Sequence, residues 1–171
     1  DSVYDIPLGF KRLRDDEEIN LAGQSWKIVF GHGHAPSHAT FWSTEDNLVL
    51  VGDQVLPGIS PNLGVYPTEP EADTVGDWIS SCRKLLRISD NNKLVLPGHK
   101  LPFTGLSTRL EQLIRNHRSA LKRIERRLTK GPSNTVDLFK IIFKREIRKE
   151  EYGLALSEAV GHMNHMYKIG K

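Results

Sequence analysis

The chain has 171 residues, which suffices for one domain or for one domain with a small appendage. With 38% hydrophobic and 26% charged residues its composition is ordinary for a globular protein, and no apolar run approaches the roughly 18 residues that cross a bilayer. A transmembrane helix and a membrane partner are therefore excluded, and a single cysteine, Cys82, excludes an internal disulfide framework.

The lone cysteine and the charge pattern carry further expectations. A single thiol fits a reducing, cytoplasmic compartment, and Cys82 is interpreted as a small buried apolar residue.

The net charge of +3 is unevenly distributed, because residues 107–150 contain thirteen Lys and Arg but only five Asp and Glu, so the rest of the chain is net acidic. A basic C-terminal segment on an acidic body predicts two units with different surroundings.

The first hundred residues have the patterns of a strand-rich unit. Residues 17–31 predict a β-hairpin, since apolar residues alternate on both sides of a turn at Ala22 and Gly23. Two further strands are predicted at residues 39–44 and 48–52. Together they form an antiparallel meander that we expect to be covered on at least one face.

A loop, a helix and another strand are expected next. Residues 55–71 are rich in Pro and Gly and predict an irregular loop. Apolar residues recur at helical spacing over about residues 73–88, with Asp73 as the N-cap. A short buried strand is predicted at residues 93–99, and this order of elements predicts an α/β layer architecture.

From about residue 107 the chain is predicted to be wholly helical. A long basic helix is expected to run to a Gly-Pro pair, and two further helices are expected near residues 134–147 and 152–168. The predicted inward face of the last helix consists of Leu154, Leu156, Ala159, Val160, Met163 and Met166. Its two histidines, His162 and His165, have a spacing compatible with a metal, but without an acidic or Cys partner we interpret them as exposed.

The residues that could carry chemistry lie where predicted strands end. His32, His34 and His38 share the segment GHGHAPSH, while Asp53 and His99 each end a buried strand. Side chains at such positions gather along one edge of a sheet, and imidazole and carboxylate groups are suitable ligands for zinc and related metals. On spacing alone, a metal site and ordinary structural roles as hydrogen-bonded histidines and a turn-forming Asp both stay open.

Three segments carry a resemblance to a known family. GHAPSH (33–38), VGDQV (51–55) and LPGHKLPF (96–103) resemble, in order, the third, fourth and fifth motifs of the metallo-β-lactamase superfamily, with the glyoxalase-II-like hydrolases as the most similar branch. Each motif alone is weak, and the ordered set is more specific.

The resemblance implies metal ligands. In this family the first metal would be bound by His34, both metals would be bridged by Asp53, and the second would be bound by His99. The implied cofactors are two divalent ions, namely zinc. By the same likeness His38 and His32 are candidates for hydrogen bonding behind the ligands rather than for metal binding.

The implied fold is α/β, with a departure from the family pattern. Residues 1–105 would be the C-terminal half of a metallo-β-lactamase αββα sandwich, and residues 106–171 a winged-helix-like all-α domain. The family's His-x-His-x-Asp-His signature, which supplies the other ligands, does not occur in this sequence. We therefore expect a portion of a longer protein, or a relative that lost its first half, with an empty or partly occupied metal centre.

Two functions follow from these expectations. The resemblance implies that the intact parent is a hydrolase, in which metal-activated water attacks a small-molecule ester or thioester, and that this chain alone is inactive. The alternative is a nucleic-acid-binding or RNA-processing module that uses the basic C-terminal helices, including Arg126, Arg127, Arg145 and Arg148. The same helices could instead form a homodimer.

Overall fold

The computed structural model describes residues 9–171. Its five strands form one sheet in the order β1-β2-β3-β4-β5, in which the first four are antiparallel neighbours and β5 pairs parallel to β4. The strands are β1 (Glu18–Leu21), β2 (Gln24–Gly31), β3 (His38–Ser43), β4 (Leu48–Gly52) and β5 (Leu94–Pro97). The predicted meander and the later strand are therefore confirmed.

The β1–β2 hairpin is closed by the predicted two-residue turn. Leu21 pairs with Gln24, and the residues between them, Ala22 and Gly23, have φ angles of 54° and 79°. Two consecutive positive φ angles match the right-handed twist of the flanking strands, which explains why the chain reverses there.

Helix α1 (Thr74–Leu86) crosses between β4 and β5 and covers one face of the sheet. The predicted N-cap is confirmed, because the Asp73 carboxylate accepts a hydrogen bond from the Gly76 N–H. Cys82 is fully buried in this core, as predicted, and burial raises the pKa of its thiol. The covered sheet residues are Val29, Trp42, Val49, Val51 and Val95.

The opposite face of the sheet is only partly covered in the described chain. Phe41, Leu50 and Leu96 are aligned across three strands and are each half-buried. On that face, Ile28 opposite Phe41 is fully buried, because the segment before β1 hydrogen-bonds to its backbone at Asp16. The sheet is thus packed tightly on its α1 side and loosely on the other.

The C-terminal helices build a second apolar cluster. They are α2 (Leu106–Leu128), the short α3 (Phe139–Phe143) after a 3₁₀ turn at Val136–Leu138, and α4 (Tyr152–Lys168). The first half of α2 packs into the sheet core, whereas Ile124 near its end belongs to the second cluster. One helix is therefore shared by both cores.

Two helical predictions are corrected. The helix expected at residues 134–147 ends at Phe143, because Lys144 adopts a left-handed φ of 57° that stops helical hydrogen bonding. In α4 the predicted inward residue Leu154 is 61% exposed, because the helix turns small and polar side chains toward α1 and the loop before it. The residues that α4 buries are Ala155, Glu158, Ala159, Gly161, His162 and Met166.

Some expectations about the helical segment stay predictions. Within residues 98–171 no strand is formed apart from a single bridge at Phe103, so the wing of a winged helix is not seen there. The winged-helix likeness and the division at residue 105 remain predictions. In the described part of the chain no helix is both long and apolar enough to cross a membrane.

Two glycines of α4 provide a matched test of how this helix docks. A Cβ on Gly161 would lie 2.6 Å from Thr74 Oγ1 and 2.7 Å from the Leu63 carbonyl, whereas a Cβ on Gly153 would meet nothing within 4 Å. We expect Gly161→Ala to lower the free energy of unfolding by about 1–3 kcal/mol through overpacking. Gly153→Ala should be neutral or stabilising by up to about 1 kcal/mol. Urea unfolding measures both, and equal effects would contradict the close approach.

Candidate metal centre

The three candidate ligands lie at one edge of the sheet. Strands β2, β4 and β5 run in the same direction, so their C-terminal ends meet at a common edge. His34 follows β2, Asp53 directly follows β4, and His99 follows β5. The prediction that these strand-end side chains gather in space is therefore confirmed by the topology.

The Asp53 carboxylate lies between the two imidazole rings. Its Oδ1 is 2.7 Å from His99 Nδ1, and its Oδ2 is 3.8 Å from His34 Nε2. Asp53 and His34 have side chains about one-quarter exposed (24% and 27%), while that of His99 is 69% exposed. Each carboxylate oxygen thus faces one ring nitrogen at a partly open edge.

A backbone carbonyl fixes the orientation of His34. Its Nδ1 lies 2.9 Å from the carbonyl oxygen of Asn62, and because a carbonyl can only accept, Nδ1–H must be the donor. In the neutral ring, Nε2, which faces Asp53, then carries the lone pair. This is how a metal-binding histidine is usually held, with the non-ligating N–H bonded to a backbone carbonyl or carboxylate.

The loop that holds His34 is itself tied to helix α4. The Asn62 side-chain amide donates to the Leu154 carbonyl at 3.1 Å and to Glu158 Oε2 at 3.0 Å, and the Val65 N–H donates to the Ser157 carbonyl. The helical segment therefore contributes to the geometry of the sheet-edge site.

Close packing at Asp53 depends on a glycine. A Cβ built on Gly98, the residue before His99, would overlap Asp53 Oδ1. The Pro-Gly-His sequence thus allows the chain after β5 to pass the carboxylate closely enough for the His99 ring to reach it. A larger residue at this position would push His99 and Asp53 apart.

The two other histidines of the GHGHAPSH segment have different surroundings. The His38 ring lies 6.0 Å from that of His34 and against Gly52, and burial, reinforced by His34, lowers its pKa. His32 is exposed, and its Nδ1 accepts a hydrogen bond from the Ser37 N–H at 3.2 Å, which is a local turn contact. Roles for His38 and His32 behind a metal ligand stay predictions.

The exposure predicted for His162 and His165 is wrong. His162 is fully buried and donates from Nδ1 to the Glu158 carbonyl, while His165 Nδ1 lies 2.9 Å from Asp73 Oδ1. Polar residues on a helix usually face solvent. This face of α4, however, packs on α1 and on the loop that precedes α1. A buried polar stripe on α4 is indicated in the sequence by three residues at helical spacing, Glu158, His162 and His165.

Burial strongly perturbs the pKa values of Glu158 and His162 in this stripe and of His117 on α2. It raises the pKa of Glu158 to about 7, against the effect of hydrogen bonds from the Leu63 N–H and Asn62. Burial also lowers the pKa of His162 to about 4 and that of His117 to about 3. Near pH 7 both imidazoles are therefore neutral, and Glu158 is close to half-ionised.

The three candidate ligands do not form a complete site for one metal ion. Among residues 9–171, no three His, Cys, Asp or Glu side chains are grouped to hold one metal ion. The set nevertheless consists of donor types that divalent metal ions accept, namely two imidazoles, one of them oriented, and a carboxylate with one oxygen facing each ring.

The sequence profile of the metallo-beta-lactamase superfamily matches residues 2–99. This span contains His34, Asp53 and His99. The chain belongs to this superfamily. It is 26% identical over 146 residues to a probable metallo-hydrolase, YqjP, of Bacillus subtilis, covering 82% of the chain and 44% of that protein. A lactamase-like protein, adaB, of Aspergillus niger is also 26% identical, over 68% of the chain and 33% of its own length.

Solved structures extend the likeness of this superfamily member to its helices. A beta-lactamase domain protein from Burkholderia ambifaria has a TM-score of 0.90 at 32% identity, covering 97% of the chain and 49% of that protein. A metallo-beta-lactamase family protein from Thermus thermophilus has a TM-score of 0.81 at 27% identity, covering 96% and 51%. The chain spans about half of these proteins, and less than half of the two named relatives.

The perturbed acid predicts a pH dependence of stability. A Glu158 pKa that moves from 4.5 to about 7 on folding favours the protonated, folded form, so its contribution is complete below about pH 4.5 and is lost as pH rises toward 7. The loss amounts to about 3 kcal/mol. Glu158→Gln keeps an acceptor for Asn62 and should remove this decline in unfolding free energy between pH 5 and 7.

The exposed Glu150→Gln serves as the control and should keep the wild-type pH profile. The lowered pKa values of His117 and His162 make the unfolding free energy fall as the solution becomes acidic. Both histidines are present in both variants, so this effect cancels when the two pH profiles are compared. A Glu158→Gln profile parallel to that of the wild type would show that this carboxyl does not titrate abnormally.

Proposed function

We propose that this chain contributes three ligands to the metal centre of a hydrolase, with Asp53 bridging two divalent ions and His34 and His99 each binding one. The observation that carries the proposal is the Asp53 carboxylate, whose two oxygens each face a different imidazole. Superfamily membership and the metallo-hydrolase name of a relative support the reaction class. Zinc is the proposed ion because the donors are nitrogen and carboxylate oxygen.

The residues of the chain would perform distinct tasks around these ions. Ions held there would supply a water nucleophile at neutral pH and stabilise negative charge on the attacked carbonyl of an ester or thioester. The Asn62 carbonyl keeps His34 in the tautomer that presents Nε2. The Asp53 carboxylate would offset the positive charge of the bound ions. Its two oxygens also keep the His34 and His99 rings together at the edge of the sheet.

The chain by itself is proposed to be an incomplete centre without turnover. Asp53 and one histidine give each ion two protein donors, fewer than the three or four of typical zinc sites. The sequence contains no His-x-His-x-Asp-His segment to supply more. Full activity would require those donors from outside the 171 residues.

Zinc titration tests the ligand assignment. We expect weak zinc binding by the wild type in calorimetry, lowered at least about tenfold by Asp53→Asn because the bridging charge is lost. The matched control is Asp46→Asn, at an exposed carboxylate in the β3–β4 turn. Equal zinc binding by all three proteins would remove Asp53 from the site, and tight stoichiometric zinc with ester turnover would overturn the incomplete centre.

A second candidate function, binding of nucleic acid, is favoured by a basic groove between α2 and α3. This groove has a volume of about 550 Å³ and is lined by six cations, of which Lys140 is paired with the Glu146 carboxylate at 2.6 Å. They are Arg123, Arg126, Arg127, Lys130, Lys140 and Lys144. Such a cluster is suited to phosphate oxygens.

The cations suggested by sequence for this role divide into two groups. Arg126 and Arg127 line the groove, whereas Arg145 and Arg148 both donate to the Glu151 carboxylate, at 2.7 Å and 3.2 Å. These hydrogen bonds lower the pKa of Glu151 to about 2. Arg145 and Arg148 therefore share one carboxylate that offsets half of their charge, which makes them weaker candidates for phosphate contacts than Arg126 and Arg127.

Fluorescence anisotropy with a labelled single-stranded RNA oligonucleotide tests this alternative. If the groove binds phosphates, replacing Arg126 and Arg127 by Ala should weaken binding at low salt and reduce the slope of log K against log salt by about two. Replacing Arg145 and Arg148 by Ala is the matched control and should have a smaller effect. No salt-dependent binding by the wild type would exclude the alternative.

A further inference from the structure

A second polar cavity lies apart from the sheet-edge residues, between α2, α3 and α4. Its volume is about 360 Å³, within the range of small-molecule sites, and none of His34, Asp53 and His99 lines it. Two buried histidines line it, one from α2 and one from α4, together with Glu158 and the cations Arg123 and Lys144.

The two histidines present ring nitrogens that have no hydrogen-bond partner within the described part of the protein. His162 is fully buried and His117 is 5% exposed, and their rings stack with centroids 5.6 Å apart. His162 Nε2 and His117 Nδ1 are both buried and unpartnered there. Leaving a buried polar atom unpaired is costly, so two such atoms on residues that line the same cavity require a reason.

The hydrogen-bonding state of His162 defines what the cavity must receive. Its Nδ1 donates to the Glu158 carbonyl at 2.9 Å, so the neutral ring offers only an acceptor at Nε2. A partner must therefore be a donor, such as a hydroxyl or N–H group. The volume is about ten times the share of one water molecule in the liquid, roughly 30 Å³, which leaves room for an organic molecule.

The lining of the cavity also includes two cations, Arg123 and Lys144. Arg123 is held by hydrogen bonds from Nε to the Ile141 carbonyl and from Nη2 to the Ile142 carbonyl, which orient its guanidinium. Lys144 is exposed and lines the same cavity, and both residues also line the basic groove. These two cations favour an anionic group on a molecule bound in the cavity.

We propose that this cavity binds a small organic anion that carries hydroxyl groups. One hydroxyl donates to His162 Nε2, another hydroxyl pairs with His117 Nδ1, and the carboxylate or phosphate meets Arg123 and Lys144. The site does not depend on the proposed metal centre, although Asn62 joins the two by contacting Glu158 with its side chain and His34 with its carbonyl. A ligand there would be held by the helical segment next to the loop that orients His34.

The probes are glycerol 3-phosphate and glycerate, which share hydroxyls and an anionic group, with glycerol and inorganic phosphate as the matched halves. Binding is followed through the ring C–H signals of His117 and His162 in NMR spectra of histidine-labelled protein without metal. At least one of the two hydroxylated anions should shift both ring signals in a saturable way. Its affinity should be at least about tenfold higher than that of glycerol or of inorganic phosphate. The stronger probe distinguishes a phosphate from a carboxylate ligand.

Variants separate ligand binding from structure. His162→Phe keeps an aromatic ring but removes the acceptor and should weaken binding about tenfold, as should Lys144→Ala through loss of charge. Lys149→Ala, at an exposed cation outside the cavity, should leave binding unchanged. If His162→Phe does not fold, the comparison of Lys144→Ala with Lys149→Ala still decides.

The proposal is overturned if neither hydroxylated anion shifts the two ring signals, or if Lys144→Ala binds as tightly as Lys149→Ala. The metal centre could fail its own zinc titration without affecting this result, because the NMR measurement uses metal-free protein.

Discussion

Hydrogen bonds between helix α4 and the loop that precedes α1 hold the sheet and the helices in one arrangement. Asn62 reaches the Leu154 carbonyl, Asn164 reaches the carbonyls of Pro70 and Ala72, and His165 reaches the Asp73 cap of α1. At this junction, these hydrogen bonds join side chains of one segment to backbone or carboxylate acceptors of the other, so they fix both the distance and the orientation between them. The position of His34 follows from this junction, since the Asn62 carbonyl is part of it.

Most of the sheet and the gathering of the candidate ligands could be predicted from sequence. Alternation of apolar residues identified the hairpin, and helical spacing with Asp73 identified α1, because both signals come from burial on one face. The strand-end position of Asp53 then sufficed to place it near His34 and His99, because parallel strands end at a common edge. The likeness to a family added ligand roles that spacing alone left open.

The helical segment was less predictable for physical reasons. Its buried stripe contains Glu158 and His162, which hydropathy assigns to the surface, and their burial depends on partners distant in the chain, such as Asn62. The break after Phe143 depends on a left-handed Lys144, a conformation that no Gly or Asn announces. Pairing of Arg145 with Glu151 likewise required the turn geometry between α3 and α4.

The position of α2 in both cores has an evolutionary consequence. Leu106, Leu110 and Leu113 complete the sheet core, while Ile124 on the same helix belongs to the helical cluster. The chain changes from sheet to helix between residues 105 and 106. A recombination junction at that point would nevertheless separate the sheet from the α2 side chains that complete its core. Exchange of the helical segment between relatives would succeed more readily with a junction inside α2, near Leu121, whose side chain packs against both clusters.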